Sequence, residues 1–130
     1  MISWDELLKL DLGHPQKSFP RTRSSESTYT AHKKTLSDLG VTPEQHIEST
    51  VLKGREYDLS ANAFPYDVAP DITHLLFWMT PDAEKLSMES VKQITAAKYQ
   101  VEPECVVVFE NPPGLKSIQG ITHYQVFIRA

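Results

Sequence analysis

The stretch Phe109–Arg129, FENPPGLKSIQGITHYQVFIR, decides how the chain folds. Its centre is Asn111-Pro112-Pro113-Gly114, where the prolines preset φ and the glycine accepts positive φ, a strong turn signal. Upstream lies CVVVFEN (105–111) and downstream ITHYQVFIRA (121–130), both rich in β-branched and aromatic residues, so the segment reads as a hairpin of two antiparallel strands. Side chains alternate across a strand, which puts Thr122, Tyr124, Val126 and Ile128 on one face and Ile121, His123, Gln125, Phe127 and Arg129 on the other. The first set is the expected core face. On that reading His123 and Gln125 stand about 7 Å apart on the non-core side, next to the loop.

Earlier in the chain, HLLFWM (74–79) is apolar on both faces, as a covered central strand would be. Between it and the hairpin, Met88, Val91, Ile94 and Lys98 mark one side of a helix capped by Asp82 or Ser87 and stopped by Pro103. Arg55–Thr73, with two prolines and isolated aromatics, reads as an ordered loop that packs down. Thr42, Pro43 and Gln45 form a helix start for a helix over about 43–53. Tyr29, His32, Leu36 and Leu39, closed by Gly40, predict a helix over about 26–39. Ser3 and Glu6 open a short first helix with Trp4, Leu7, Leu8 and Leu10 on its apolar stripe, and Gly13–Ser24 connects the two. The expected fold is therefore α+β: one domain over residues 1–130, with a mainly antiparallel sheet of about three strands in the C-terminal half, covered by about four helices.

The 130 residues suit a single core. With 40% hydrophobic and 23% charged residues the composition is that of a folded domain rather than a disordered chain. MISWDELLKL carries acids where a signal peptide carries bases, and no apolar run approaches about 18 residues, which predicts a cytoplasmic protein, with the nucleus as alternative, and no membrane partner. The lone Cys105 excludes an internal disulfide and a cysteine-based zinc site, and it reads as a buried structural thiol. A net charge of -4 argues against nucleic acid as partner, although Lys17 to Lys34 form a basic stretch.

Chemistry concentrates at the hairpin. His123 titrates near neutrality, and Asn111, Lys116 and Ser117 add hydrogen-bond donors of the kind that hold an anionic group such as a phosphate. The loop is not a phosphate loop, because two prolines remove two of the backbone amides such a loop needs. His74 and Trp78 share a face of their strand, and Trp78 at a pocket wall could stack on a base or sugar. The five histidines show no H-x-x-x-H or H-E-x-x-H spacing, so neither a metal nor another cofactor is expected.

NAFPYDVAPDITHLLFW, followed by a helix and VVFENPPGLKSIQGITHYQVFIR, resembles the family of unknown function typified by the fungal N-acetylglucosamine-induced proteins. The resemblance covers nearly the whole chain and falls on Phe64, Pro65, Tyr66, His74, Trp78, Asn111, Pro112, Lys116, Ser117, His123 and Val126, with Gln125 where that family commonly has a second histidine. A looser similarity is to the histidine-triad superfamily of nucleotide hydrolases and transferases. It implies His123 as nucleophile, Gln125 orienting a phosphate, and Ser117 and Asn111 donating to it, with Ile121 in the place of that superfamily's first histidine. The expected function is a pocket for a small polar or phosphorylated ligand, a nucleotide or sugar phosphate, with phosphohydrolase or transferase chemistry open. His123 is its candidate catalytic residue, and Asn111, Lys116, Ser117, Gln125, His74, Trp78 and Tyr66 are its candidate ligand contacts. The alternative is a non-enzymatic module whose proline-rich loops and basic segment contact a protein partner.

Overall fold

The structure, a computed structural model, describes residues 1–11, 21–110 and 120–129, excluding the side chains of Leu10 and Asp11. Among the described residues four helices, α1 (Trp4–Asp11), α2 (Arg23–Asp38), α3 (Pro43–Ile47) and α4 (Met88–Tyr99), accompany four strands, β1 (Tyr57–Ala61), β2 (Ile72–Met79), β3 (Val106–Phe109) and β4 (Thr122–Arg129). A single π-turn over Glu48–Leu52 continues α3, and a short 3-10 turn over Pro103–Cys105 leads into β3. The class is α+β as expected, but the sheet has four strands, ordered β1-β2-β4-β3 and antiparallel at every pairing. Three of the four helices precede the sheet's second strand.

The additional strand is β1, inside the segment expected to be a loop. Tyr57, Leu59 and Ala61 alternate with Asp58 and Ser60, a period of two that its length of five residues and the nearby Pro65 and Pro70 obscured. β1 pairs with β2, Leu59 opposite Phe77, and Lys98 of α4 donates to the outward Leu59 carbonyl, which blunts that sheet edge.

Local signals set the helix ends. The Ser3–Glu6 box closes reciprocally, with Glu6 N–H donating to Ser3 Oγ at 3.2 Å and Ser3 N–H to Glu6 Oε1 at 3.3 Å. At α3, Thr42 N–H donates to Gln45 Oε1 at 2.9 Å and Gln45 N–H to Thr42 Oγ1 at 3.1 Å. Gly40 takes φ +68, which lets Val41 N–H reach Leu36 O after α2 ends. α2 itself starts three residues before Glu26, because Thr22 Oγ1 accepts from Ser25 N–H and caps it there. Ser87, not Asp82, caps α4. Thr42→Ala removes one member of the α3 box and is expected to lower stability by about 1 kcal/mol, readable as a lower urea midpoint with an unchanged slope.

Both faces of the sheet are buried, which corrects the expectation that His123 and Gln125 lie on a non-core side. α4 covers Leu59, Leu75, Phe77, Met79, Val108, Tyr124 and Val126. On the other face Ile2, Trp4 and Leu7, with Tyr66 and Val68, pack on Val107, Phe109 and Phe127. Ile47 and Leu52 pack on Trp78 and Ile121 beside them. His123 and Gln125 are each only 4% exposed as a result. Alternation identifies which residues share a face, but what covers that face arrives from the first 68 residues, beyond the reach of any local pattern. Among the described residues no helix is long and apolar enough to cross a membrane.

Candidate functional site

β2 and β4 are the two central strands, and their register sets His74 opposite Phe127, Leu76 opposite Gln125 and Trp78 opposite His123. Four of the sequence-derived site residues, His74, Trp78, His123 and Gln125, therefore share one buried face. Tyr66 joins them from the preceding segment, its ring 4.6 Å from that of His74. Asn111, Lys116 and Ser117 lie outside the described residues.

His74 is held on every side. Its ring stacks on Phe127 with centroids 4.3 Å apart and planes at 16°. Tyr66 N–H donates to Nδ1 at 3.1 Å, so Nδ1 carries the lone pair and the ring proton is on Nε2. That Nε2–H donates to Gln125 Oε1 at 2.6 Å. The Asn62 amide nitrogen lies 3.4 Å from Nδ1, its Oδ1 accepts from Phe64 N–H at 2.8 Å, and its own N–H donates to His74 O at 3.0 Å. Burial pulls the His74 pKa down to about 3; the hydrogen bond to Gln125 opposes the shift and the Arg21 guanidinium adds to it. The ring is thus neutral at neutral pH and cannot supply a cation for a phosphate. Gln125 Oε1 is taken up by His74. Together they pin the 62–66 segment onto the sheet.

Arg21 completes that clamp. Its Nε donates to Phe64 O at 2.9 Å, and its guanidinium lies over Tyr29 at 4.2 Å and Tyr66 at 5.6 Å. Ser25 Oγ donates to Pro65 O at 3.0 Å. The sequence reading missed Asn62 and Arg21, whose partners are 12 and 43 residues away. The Asn-x-Phe step of an Asx turn was the one local hint for Asn62. Beside the clamp, His32 of α2 and His46 of α3 meet edge to face, centroids 4.7 Å apart; burial and His46 lower the His32 pKa.

His123 is the other buried imidazole of this face, and its proton sits on the other nitrogen. Its Nδ1 is 3.2 Å from Ile121 O, and a carbonyl only accepts, so Nδ1 is the donor. A neutral ring then carries its lone pair on Nε2. Trp78 supports the ring, centroids 4.5 Å apart and planes at 31°. Two residues upstream of Thr122, Gly120 N–H donates to Glu44 Oε1 of α3 at 3.2 Å, and a Cβ at 120 would stand 2.8 Å from Glu44 Cγ. Here an open cleft of about 450 Å³ lies between α3 and the start of β4, bordered by Glu44, Gln45, Glu48, Pro81, Gly120 and Ile121. Its two carboxylates make it unsuited to an anion. Among the described residues no three His, Cys, Asp or Glu side chains converge as metal ligands.

The fold is similar to that of a solved structure described as "Crystal Structure of HTC1", at 21% identity and a TM-score of 0.68, covering 100% of this chain and 86% of that one. No curated protein matches the chain. The model of the family described as "Protein of unknown function (DUF3605)" matches residues 3–129, and the chain belongs to that family.

Proposed function

We propose that the chain binds a small polar ligand carrying a phosphoryl group, a nucleotide or a sugar phosphate, with His123 as its central contact and Asn111, Lys116 and Ser117 as donors from the adjoining turn. The observation that carries this reading is the fixed state of His123: Nδ1–H held by Ile121 O, the ring held by Trp78. A ring so held keeps one orientation, as a positioned ligand contact requires. His74, Gln125 and Tyr66 then act as the frame behind the site rather than as ligand contacts, since His74 and Gln125 bond each other and Tyr66 packs on the His74 ring. The resemblance to fungal N-acetylglucosamine-induced proteins makes amino-sugar phosphates the first ligands to test, and the looser likeness to the histidine-triad superfamily makes nucleotides the second. A second reading, a module that docks a protein partner, draws on the acidic cleft at Glu44 and Glu48, which suits a basic segment better than a phosphate.

The test is a thermal-shift screen with nucleotides, hexose phosphates and amino-sugar phosphates on the wild type and on His123→Ala, each read against its own ligand-free midpoint. A ligand at a hundred times its Kd is expected to add about 2.7 kcal/mol, a rise of several degrees, in the wild type and not in the variant. No shift in the wild type, or equal shifts in both, would contradict the proposal. Release of inorganic phosphate from a ligand that binds separates an enzyme from a binding protein.

A further inference from the structure

We infer that His32 and His46 form a two-imidazole site for a divalent cation of the zinc, nickel or copper type, with water completing its shell. One residue stands on α2 and the other on α3, and only the docking of these helices brings their rings to 4.7 Å between centroids, edge to face at 65°. Among the described residues no hydrogen bond reaches a ring nitrogen of either; the bonds of His46 with Ser49 and Thr50 are made by its carbonyl. Both residues are half-buried, and among the described residues no buried side-chain nitrogen lacks a partner, so these unpaired ring nitrogens reach solvent. Two adjacent imidazoles with their polar atoms unspent are thus open to an ion.

The spacing suits one ion held by both rings. A ring nitrogen about 2.1 Å from a cation sets its ring centroid about 3.2 Å away, and two such ligands at about 90–110° stand about 4.5–5.2 Å apart. Histidine χ2 is a broad torsion, so half-exposed rings can each turn a nitrogen to the common point. Neutral imidazole suits zinc, nickel and copper, whereas magnesium and calcium build their shells from oxygen. Burial, and then the neighbouring His46, lowers the His32 pKa, which keeps its lone pair free of a proton at neutral pH. Helix α2 buries little beyond Leu36, so a cation shared with α3 would fasten it to the rest of the fold.

The test uses the full chain, stripped of metal with a chelator, at about pH 7.5, where imidazoles carry their lone pairs. Zinc and nickel chlorides are titrated calorimetrically, with magnesium chloride as the control for a cation that prefers oxygen. Zinc and nickel are expected to bind and magnesium not to. His32→Ala and His46→Ala should each weaken zinc and nickel binding by at least the roughly 10–100-fold that the loss of an outer-shell partner costs a metal site. A second readout needs no variant: in long-range proton–nitrogen spectra of the wild type, zinc should move one ring nitrogen of His32 and one of His46 together, at the same added equivalents. No binding of zinc or nickel, a zinc shift on only one of the two rings, or unchanged affinity in either variant would overturn the inference.

Discussion

His74→Phe is expected to destabilise the protein by about 3 kcal/mol at pH 7 and to abolish a large part of its sensitivity to acid. Phenylalanine keeps a planar ring against Phe127 and Tyr66, so lost hydrogen bonds outweigh the packing cost of its slightly larger ring. The destabilisation comes from the two hydrogen bonds that the ring makes, to the buried Gln125 Oε1 and from the half-buried Tyr66 N–H, whose loss together costs about 3 kcal/mol. Adding Gln125→Leu removes that buried Oε1 and should restore about 1–2 kcal/mol, because deleting both members of a buried pair costs less than deleting one. The pH dependence follows from linkage. His74 has a folded pKa of about 3 against an ordinary value of 6.5, so above pH 6.5 both folded and unfolded states are neutral at this site and stability is fully present. Below 6.5 the unfolded chain binds a proton that the native chain refuses, and stability falls by about 1.4 kcal/mol per pH unit, about 2.7 kcal/mol by pH 4.5. His32, whose pKa is also lowered, adds to the loss in the same direction. Urea unfolding of wild type and His74→Phe at pH 7, 6, 5 and 4.5 isolates the His74 share as the narrowing gap between them.

Trp78→Ala is expected to cost about 4 kcal/mol, the range found when a large aromatic is cut from a core. Trp78 is 4% exposed and is the largest side chain in the cluster with Ile47, Leu52 and Ile121. The substitution removes the aromatic surface that joins the π-turn after α3 to the sheet beside His123. Trp78→Phe should retain most of that contact and cost about 1–2 kcal/mol. The pair separates packing from site geometry. If Trp78 holds the His123 ring in place for a ligand, the Ala variant, where it folds, loses any ligand-induced rise in melting temperature, and the Phe variant keeps part of it.

Much of this architecture is legible in the sequence because it is written locally. Ser3 with Glu6, Thr42 with Gln45, and Gly40 mark helix ends through contacts made within three or four residues. The β2 strand follows from a run apolar on both faces and β4 from its β-branched and aromatic residues, and strand alternation then groups His74 with Trp78, and His123 with Gln125, on one side of each strand. What the sequence conceals is long-range. Whether the His123 face is wet or dry depends on Ile2, Trp4, Leu7 and Val68, and nothing near residue 123 announces them. The role of His74 depends on Tyr66 N–H and Gln125 Oε1, groups 8 and 51 residues distant, so a histidine that reads as a candidate ligand contact proves to be fastened inside the fold. Gln125, on the same strand side as His123, bonds the other imidazole, that of His74.

Two buried histidines of one sheet face thus differ in their bonding, His74 holding its proton on Nε2 toward Gln125 and His123 holding its own on Nδ1 toward Ile121 O. A pH titration of the histidine ring nitrogens by long-range proton–nitrogen spectroscopy puts this difference to the test. His74 is expected to show the Nε2–H form at pH 7 and not to titrate down to pH 4.5, while His123 shows a protonated Nδ1 at pH 7. A His74 ring that titrates near 6.5, or that carries its neutral proton on Nδ1, would refute it.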